Sequence, residues 1–360
     1  MNKKQPSVIY LTQTTAPYRE RMHELIAEKI TDYEVIFCAK FEPDRLWKVE
    51  IGNYKHRFLT ERVDTVLHKH NNPEIWKILN KENPDVLIIT AFKPTMLYGA
   101  LWCAMKGKKL IVYNDGTLIS ERDFSFVQKM IRRLVFSKTK AFVAPAEGGF
   151  DLYAAYGISR NRMFKSCLCI DNSRFTPKPM NERAFDIMFS GQIVERKMPM
   201  FFVEIAKKLK QKIPDLRVLI IGEGDMRMQM LDELDKIGVN YHFAGYLDQQ
   251  TLPTFYADAK LFLFPSLNDP WGVVANEACA AGTPVITCEN AGVANDLIIN
   301  GNNGYVLPLD ADIWTEHTYE LLTDVEKLNQ FSENAVHKVE SYNHREAANG
   351  ILNSVAFAMQ

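Results

Sequence analysis

Two carboxylic acids eight positions apart, Asp269 and Glu277, are the residues best placed for chemistry in this sequence. They belong to the stretch SLNDPWGVVANEACAAGTPVI, Ser266 to Ile286, which is typical of a loop and a short helix before an apolar strand. A helix beginning near Gly272 would present unpaired backbone N–H groups and a partial positive charge, both of which favour a phosphate. Asp269 would precede that helix and Glu277 would lie inside it. The spacing indicates a site for a phosphorylated ligand whose hydroxyl groups donate to the acids.

Each acid also has a purely structural interpretation. Asp269 could cap the helix, a role worth ~1 kcal/mol, and Glu277 could be an exposed helix carboxylate. The second interpretation is weaker, because the surrounding helix residues are mostly Val, Ala and Cys and an unpaired buried charge is costly. Both interpretations stay open at the level of the sequence.

The length and composition indicate a folded protein with more than one domain. The chain has 360 residues, of which 47% are hydrophobic and 24% charged, and its formal net charge is -1. A chain this long usually divides into two hydrophobic cores. A near-neutral charge gives no general attraction to nucleic acid, so we expect no nucleic-acid partner.

Short β-branched runs alternate with helical stretches along nearly the whole chain, which is the pattern of parallel sheets covered on both faces. The predicted strands of the first half are SVIYL, YEVIFCA, DVLIIT, KLIVYN, KAFVAPA and SCLCI. A linker, IDNSRFTPKPMNERAFD, separates them from DIMFSG, RVLIIG, VNYHFAG, KLFLFP, TPVIT and GYVLP. Amphipathic patterns predict helices at Pro199 to Gln211 and Met226 to Lys236. We therefore expect two doubly wound α/β domains that bind ligands at the carboxyl ends of their strands.

Three features of the sequence bear on its location. The opening MNKKQPSVIYLTQTT has a basic tip, but polar residues break its apolar run, so we do not interpret it as a signal peptide. No segment approaches the ~20 uninterrupted apolar residues of a spanning helix. The six cysteines occur mostly singly and without a C-x-x-C pair, which is typical of the reduced core of a cytoplasmic protein.

On these motifs the chain resembles the retaining, nucleotide-sugar-dependent glycosyltransferases of family 4, the glycosyl transferases group 1, which have the two-domain GT-B fold. The family's usual pattern is Glu-x7-Glu before a small-residue run, Gly-Pro and an apolar strand, and this chain has the variant Asp269-x7-Glu277. The resemblance implies that Asp269 accepts hydrogen bonds from the donor sugar and that Glu277 holds the ribose diol. It implies no cofactor and no metal, and it favours a UDP-sugar over a GDP-sugar as donor.

Further loops resemble the family's donor site. In FSGQIVERKMP, Lys197 matches the lysine that meets the donor diphosphate, although a single lysine at a helix start is more often a solvated side chain. Gln192 stands where the family usually has arginine, and the neighbouring Arg196 could compensate. IIGEGD resembles the family's Gly-x-Gly turn, and FAGYLDQQTLPTFYADAKLFLFPS resembles the wall of its base pocket. The predicted donor-binding residues are Gly191, Gln192, Arg196, Lys197, Gly222, Glu223, Tyr246, Leu247, Asp269, Pro270, Trp271, Gly272, Val273 and Glu277.

The first half carries the predicted acceptor-side residues. VYNDGT places Asp115 where the family often has His-Gly facing the reacting sugar, so Asp115 joins Asp269, Glu277 and Lys197 as a candidate catalytic residue. TTAPYRERM resembles the family's Pro-Tyr-Arg variant, which would put Tyr18 and Arg19 on the acceptor side. The alternative is a proline in the first turn of a helix, followed by a surface Tyr and Arg.

The resemblance also predicts the domain organisation and the reaction. Residues 1–172 would form a Rossmann-like acceptor domain, and residues 173–342 a Rossmann-like nucleotide-sugar domain facing it across a cleft. Residues 343–360 would form a closing helix that packs on the first domain. The implied enzyme is a retaining hexosyltransferase acting on a glycan or lipid-linked hydroxyl acceptor in surface polysaccharide, lipopolysaccharide or lipid-linked glycan synthesis. A nucleotide-sugar epimerase and a non-catalytic nucleotide-sugar-binding protein remain as alternatives.

Two other stretches have competing interpretations. DFSFVQKMIRRLVFSKTK, within residues 122–140, predicts a helix whose face Phe124, Val127, Ile131 and Leu134 suits the core. Its neighbouring face carries Phe126, Lys129, Met130, Arg133 and Phe136, so it is either an ordinary half-buried helix or a peripheral contact with the inner face of the cell membrane. Asp310 to Asp312 form an Asp-x-Asp motif, which we interpret as acids complementing a helix dipole rather than as a metal site.

Overall fold

The computed structural model describes residues 5–40, 49–60, 63–64 and 69–360. Residues 1–4, which hold the basic tip, lie outside the described residues. The strands are β1 Val8–Thr12, β2 Tyr33–Phe37, β3 Lys55–Phe58, β4 Val63–Asp64, β5 Lys69–His70, β6 Val86–Ile89, β7 Lys109–Tyr113, β8 Thr139–Ala144, β9 Met163–Lys165, β10 Phe185–Ser190, β11 Arg217–Ile221, β12 Asn240–Gly245, β13 Ala259–Phe264, β14 Val285–Thr287 and β15 Gly304–Val306.

The α-helices alternate with these strands. They are α1 Pro17–Ala27, α2 Ile75–Glu82, α3 Pro94–Lys106, α4 Phe126–Lys138, α5 Glu147–Ala155, α6 Pro199–Lys212, α7 Arg227–Lys236, α8 Leu252–Ala257, α9 Val273–Ala280, α10 Ala311–Thr323, α11 Val325–Val339 and α12 His344–Ala358. The two helices predicted from amphipathic patterns in the second half are confirmed as α6 and α7.

The chain forms two compact units. Unit 1 consists of Met1–Cys169 and His344–Gln360, and unit 2 consists of Ile170–Asn343. Unit 1 holds a seven-stranded sheet in the order β3-β2-β1-β6-β7-β8-β9, in which all neighbouring strands are parallel. The strand order reverses between β1 and β6, and such a switch point opens a crevice at the carboxyl ends of the strands.

The core of unit 1 is apolar on the faces of this sheet. Leu11, Ile89 and Trp102 are buried there with Phe142 and many other large apolar side chains. The C-terminal helix α12 contributes to the same unit, because it packs on α1, β8 and β9. The Ser166 hydroxyl donates to the backbone oxygen of Ala347 at 2.8 Å, which fixes α12 to the segment after β9.

Unit 2 repeats the architecture with six parallel strands in the order β12-β11-β10-β13-β14-β15. Its switch point lies between β10 and β13, whose register pairs Ile187 with Leu261. Those two side chains are fully buried, together with Phe202 of α6 and Trp314 of α10. The carboxyl ends of β10, β11 and β13 therefore converge on one edge, and the loops that follow them carry the predicted donor residues.

Two local predictions are wrong, one of a strand and one of the buried face of a helix. SCLCI was predicted as a strand, but the last strand of unit 1 is β9, which ends at Lys165. The Ser166 backbone instead donates to Ala144 and accepts from the Tyr113 hydroxyl at 2.7 Å, so this apolar run is buried coil. The strand β3 has no counterpart among the predicted strands.

The predicted core face of α4 is also wrong. Val127 and Leu134 are exposed, and the buried residues of the helix are Arg132, Val135 and Phe136. The Arg132 guanidinium is held between the rings of Phe92 and Phe124, and its Nε lies 2.7 Å from Glu121 Oε2. Because this ion pair is buried, the side of α4 that faces the core carries Arg132, and Val127 and Leu134 face away from it.

Candidate donor site in unit 2

Two glycine loops meet at the carboxyl edge of the unit 2 sheet. Gly191 follows β10 and donates its N–H to the Ile221 oxygen at 3.0 Å, while Gly222 follows β11 and donates to the Gly245 oxygen at 2.8 Å. Gly222 has a φ of 127°, and a Cβ there would overlap the carbonyl oxygen of Gly191. Only a glycine at 222 lets the loops after β10, β11 and β12 approach this closely.

Lys197 is a buried cation in the loop after β10. It belongs to the single helical turn Glu195–Lys197 and is 6% exposed. Its ammonium forms an ion pair with Asp269 Oδ2 and lies 4.4 Å from the centroid of the Phe264 ring. Burial lowers the pKa of Lys197, and the Asp269 carboxylate partly offsets this lowering. Lys197 is therefore not the solvated side chain of the alternative interpretation.

Arg196 occupies the space beside Gln192. Its Nη2 lies 3.3 Å from Gln192 Oε1, and its Nη1 lies 3.4 Å from Asp269 Oδ2. Two cations, Arg196 and Lys197, thus surround one carboxylate. The Arg196 guanidinium therefore lies beside Gln192, the position where the family usually has an arginine.

The loop before α9 presents backbone groups to the same region. Gly272 is the N-cap residue, with a φ of 97°, and no side chain caps the helix. Asp269 Oδ1 accepts from the Trp271 N–H at 3.1 Å, so Asp269 orders the loop and does not cap the helix itself. The first N–H groups of α9 next to Val273 therefore have no capping side chain among the described residues.

Trp271 supports this loop from inside. Its indole ring is buried, stacks on Tyr342 with 5.6 Å between ring centroids, and donates from Nε1 to Asn276 Oδ1 at 2.8 Å. The indole is therefore committed to the interior of unit 2, and Trp271 offers a ligand only its backbone. Pro270 beside it is half-buried.

Glu277 ends a chain of three polar side chains. The Tyr256 hydroxyl donates to Glu277 Oε2 at 2.8 Å and lies 2.7 Å from Ser190 Oγ. Burial raises the pKa of Glu277 to about 7, against a smaller lowering by the Tyr256 hydrogen bond. Because Ser190 directly precedes Gly191, this chain links the acid on α9 to the glycine loop after β10.

The remaining predicted donor residues differ in how free their side chains are. The Glu223 carboxylate forms an ion pair with Arg227 of α7 at 3.0 Å. The backbone oxygen of Glu223 accepts a hydrogen bond from the Ile193 N–H at 2.8 Å. Tyr246, after β12, is 55% exposed, and Leu247 is half-buried. The Tyr246 ring is available for stacking, whereas the Glu223 carboxylate is already in an ion pair.

The predicted acceptor-side residues all lie in unit 1. Arg19 on α1 donates from Nη1 to the Tyr10 hydroxyl at 2.8 Å, and its guanidinium lies 4.5 Å from the centroid of the Tyr113 ring. Arg19 is therefore not a solvated surface residue, and Tyr18 beside it is half-buried. Asp115 is exposed two residues after β7 and acts electrostatically on Arg19.

The Asp-x-Asp motif is part of a helix cap. Asp310 Oδ1 accepts from the N–H groups of Asp312 and Ile313 at 2.9 and 3.1 Å, and Asp312 pairs with Lys208. Across residues 5–40, 49–60, 63–64 and 69–360, no three His, Cys, Asp or Glu side chains are grouped as metal ligands. In the same part of the chain, no helix has both the length and the apolar character needed to cross a membrane.

Sequence reasoning missed three contributors to the site. Tyr256 and Ser190 hold Glu277, and Phe264 covers the Lys197 ammonium. All three lie within predicted strands or the stretch that resembles the base-pocket wall, but no spacing rule separates them from core residues. The signal that could have found Ser190 is its place at the end of a strand, directly before a glycine.

Known proteins resemble the chain in the segment that contains these residues. Residues 172–338 match the family model described as glycosyl transferases group 1. This match supports the predicted family for the segment that contains every candidate donor residue. The 2-deoxystreptamine N-acetyl-D-glucosaminyltransferase of Niallia circulans is 28% identical over 170 residues, which cover 46% of this chain and 43% of that protein.

Other relatives extend over more of the chain. The sulfoquinovosyl transferase SQD2 of Arabidopsis thaliana is 27% identical over 305 residues, 78% of this chain and 58% of that protein. The chain thus spans less than two thirds of the length of these two relatives. Anabaena Alr3699/HepE, solved in complex with UDP, has a TM-score of 0.77 and 14% identity, over 97% of this chain and 99% of that one. This structural likeness confirms the predicted GT-B fold class with its two doubly wound parallel sheets.

Proposed function

We propose that the chain is a group 1 glycosyl transferase that moves a sugar from a nucleotide-diphosphate sugar to a hydroxyl acceptor with retention of anomeric configuration. The observation that carries this proposal is the cluster of Lys197, Arg196 and Asp269 beside the glycine loops at Gly191 and Gly222. It lies inside the segment that matches the family model. Two cations around one carboxylate leave a net positive charge, which suits a diphosphate.

The donor diphosphate would lie between the glycine loops and the start of α9. Lys197, Arg196 and the uncapped N–H groups next to Gly272 would stabilise the charge that develops on the departing nucleotide diphosphate. In the ligand-free protein the Lys197 ammonium already has Asp269 as its counterion. A bound diphosphate would share that ammonium, and the Asp269 carboxylate could then accept hydrogen bonds from the donor sugar.

Glu277 would hold the ribose of the donor. Its ionised carboxylate accepts two hydrogen bonds well from a diol, and the Tyr256 hydroxyl fixes one of its oxygens in place. Tyr246 would stack on the base, because its ring is exposed at the end of β12. The UDP in the Anabaena Alr3699/HepE structure supports a uridine donor, and no metal is needed in this proposal.

Unit 1 would supply the acceptor site, with Tyr18, Arg19 and Asp115 as its candidate residues. Asp115 would assist proton transfer from the acceptor hydroxyl, because it is exposed and lies near the Arg19 guanidinium. Surface polysaccharide, lipopolysaccharide or lipid-linked glycan synthesis remains the proposed setting. The N-acetylglucosaminyl and sulfoquinovosyl transferases among the relatives show how widely donor sugars vary between similar proteins.

A thermal-shift screen with UDP, GDP, ADP, CMP and their common sugar conjugates tests the donor site. A nucleotide at ~100 times its Kd should stabilise the protein by about 2.7 kcal/mol. We expect UDP and UDP-sugars to shift the unfolding midpoint, and Lys197→Met to remove the shift. Lys207→Met, an exposed lysine of α6, is the matched control and should keep it. The donor site would be overturned if no nucleotide shifted the wild-type protein or if both variants behaved alike.

The stereochemistry of the reaction has a separate test. We expect slow donor hydrolysis by the protein to release first the anomer present in the donor, as read by proton NMR before mutarotation. An α-linked donor that yields the β-anomer would contradict retention while leaving sugar transfer itself intact. Loss of hydrolysis in Lys197→Met, by ~100-fold or more, would tie the activity to this site.

A further inference from the structure

Exposed apolar side chains concentrate on one part of unit 1. Of the large hydrophobic residues that are exposed in the described part of the chain, seven of twelve lie between residues 101 and 134. They are Leu101, Met105, Leu118, Phe126, Val127, Met130 and Leu134. A monomeric soluble protein seldom leaves such a group uncovered, and a rim of charges around it usually marks an interaction site.

The helix α4 carries most of these residues in one stripe. Phe126, Met130 and Leu134 follow each other at a spacing of four, and Val127 lies next to them on the helix surface. Phe126 is 75% exposed and Leu134 is 64% exposed. Because Val135 and Phe136 face the core, the stripe lies on the side of α4 that points away from it.

The orientation of the stripe is fixed by the interior of unit 1. Arg132 forms a buried ion pair with Glu121 and lies over the rings of Phe92 and Phe124, at 4.3 and 4.4 Å from their centroids. Ser125 and the N3 glutamine form a capping box at the start of α4. The helix therefore cannot turn its apolar stripe inward without breaking a buried ion pair.

The neighbouring helix α3 also carries exposed apolar side chains. Leu101 and Met105 are exposed at a spacing of four, and α3 packs against α4. We call the exposed parts of α3 and α4, with the loop that precedes α4, the α3–α4 surface. Its residues are Leu101, Met105, Lys106, Leu118, Arg122, Phe126, Val127, Lys129, Met130, Arg133, Leu134 and Lys138.

The charges on the α3–α4 surface are almost all positive. From Arg122 to Lys138 the exposed charged side chains comprise four cations and one acid, Asp123, which Arg122 neutralises at 3.2 Å. Lys129 and Arg133 stand one turn apart along the edge of the apolar stripe. Lys106, at the end of α3, adds a further cation.

We propose that the α3–α4 surface docks on an anionic lipid bilayer. The apolar stripe would enter the boundary between headgroups and acyl chains, while Lys129, Arg133 and Lys138 would contact the anionic headgroups. A second copy of the chain fits less well, because it would bring the same cations against each other. This inference does not rest on the proposed sugar transfer, since binding alone tests it.

Flotation of the purified protein with vesicles tests the proposal. We expect binding to phosphatidylcholine vesicles that contain about 30 mol% phosphatidylglycerol and far weaker binding to pure phosphatidylcholine. Raising the salt from about 0.1 to 0.5 M should release much of the bound protein. Equal binding to both vesicle types, or none to either, would overturn the proposal.

Two variants assign the binding to residues. Lys129→Gln with Arg133→Gln should weaken the partition about fivefold for each cation removed. The matched control is Lys77→Gln with Lys81→Gln, two exposed lysines at the same spacing on α2 of the same unit, which should bind like wild type. Equal loss in the control pair would show general electrostatic attraction and contradict docking through this surface.

The apolar stripe has its own test. Phe126→Gln with Met130→Gln and Leu134→Gln removes exposed side chains only, so circular dichroism should report an unchanged fold. We expect this variant to lose vesicle binding at both salt concentrations. If it instead converted a wild-type dimer into a monomer, as light scattering would show, the surface would join two copies of the chain and the lipid proposal would be wrong.

Discussion

The carboxyl of Glu277 is tuned to change its charge near neutral pH. Burial raises its pKa to about 7, so about half of it is protonated at that pH in the ligand-free protein. The proposed ribose contact requires the ionised form, because a carboxylate accepts hydrogen bonds from both diol hydroxyls more strongly than a carboxylic acid does.

Nucleotide affinity should therefore fall as the pH is lowered. If only the ionised carboxylate binds, the Kd for UDP rises about tenfold from pH 8 to pH 6, as calorimetric titration would measure. Glu277→Gln should bind more weakly at every pH and lose this dependence. A wild-type Kd that stays constant over the same range would contradict the role of Glu277 in holding the ligand.

The Tyr256 hydroxyl is a positioning group for Glu277. It donates to the carboxylate at 2.8 Å, which favours the ionised form. Tyr256→Phe should therefore raise the pKa of Glu277 further and move the midpoint of the pH dependence of UDP affinity upward. Tyr319→Phe, on the half-exposed ring of α10, should leave the midpoint in place. An equal midpoint in wild type and Tyr256→Phe would show that the hydroxyl only fills space.

The sequence predicted the residues of the site better than their contacts. Asp269 and Lys197 were both assigned to the donor site, but nothing in the sequence indicated that these residues, 72 positions apart, form an ion pair. Tyr256 was not singled out at all, because a tyrosine before an apolar strand has the same pattern whether it fills a core or holds a carboxylate. Pair contacts of this kind depend on three-dimensional approach, which spacing alone does not specify.

At the scale of elements, the glycine loops after β10 and β11 are in direct backbone contact. Gly222→Ala should cost roughly 1–3 kcal/mol from its strained φ alone, and its Cβ would also push the Gly191 carbonyl away. We expect urea denaturation to show this loss of stability and UDP affinity to fall at least tenfold, which is ~1.4 kcal/mol.

Gly191→Ala is the matched variant for this prediction. Its φ of 129° is equally strained, but a Cβ at 191 would meet no atom within 4 Å. Gly191→Ala should lose a similar amount of stability from backbone strain, but it should keep the contact between the two loops. If both variants lost the same stability and the same affinity, the contact would contribute nothing beyond backbone strain.

The sequence predicted the regular strands and helices well. It failed for two buried segments whose polar contacts do not follow the hydrophobic pattern. The two parallel sheets and helices α6 and α7 follow from alternating apolar runs and amphipathic periods. SCLCI failed as a strand prediction: the backbone of its first residue, Ser166, bonds to the Tyr113 hydroxyl and to Ala144, and residues 166–170 form no strand. The predicted core face of α4 failed because the buried Arg132 pairs with Glu121, which lies just before the helix, and hydrophobicity alone assigns an arginine to solvent.

At the scale of the whole molecule, the candidate donor residues belong entirely to unit 2. We expect hydrogen exchange with UDP to show the strongest protection in residues 191–198, 222–226 and 269–277, with β8 and α5 of unit 1 unchanged. Glu277→Gln at the same UDP concentration should show little protection. Protection centred on unit 1 would contradict the assignment of the donor to unit 2.

Unit 1 is built from two separate parts of the chain. The helix α12, which follows all of unit 2 in the sequence, packs on α1, β8 and β9 of unit 1. Domains generally fold in the order in which they are synthesised, and synthesis proceeds at about 5–20 residues per second. Here the ribosome begins unit 1 first and completes it last. All seven strands of its sheet are made before unit 2, but the surface that α12 covers stays exposed until the synthesis of unit 2 is finished. A ribosome that stalls before His344 would therefore release an intact second unit attached to an unfinished first one, a form for chaperones and proteases to recognise.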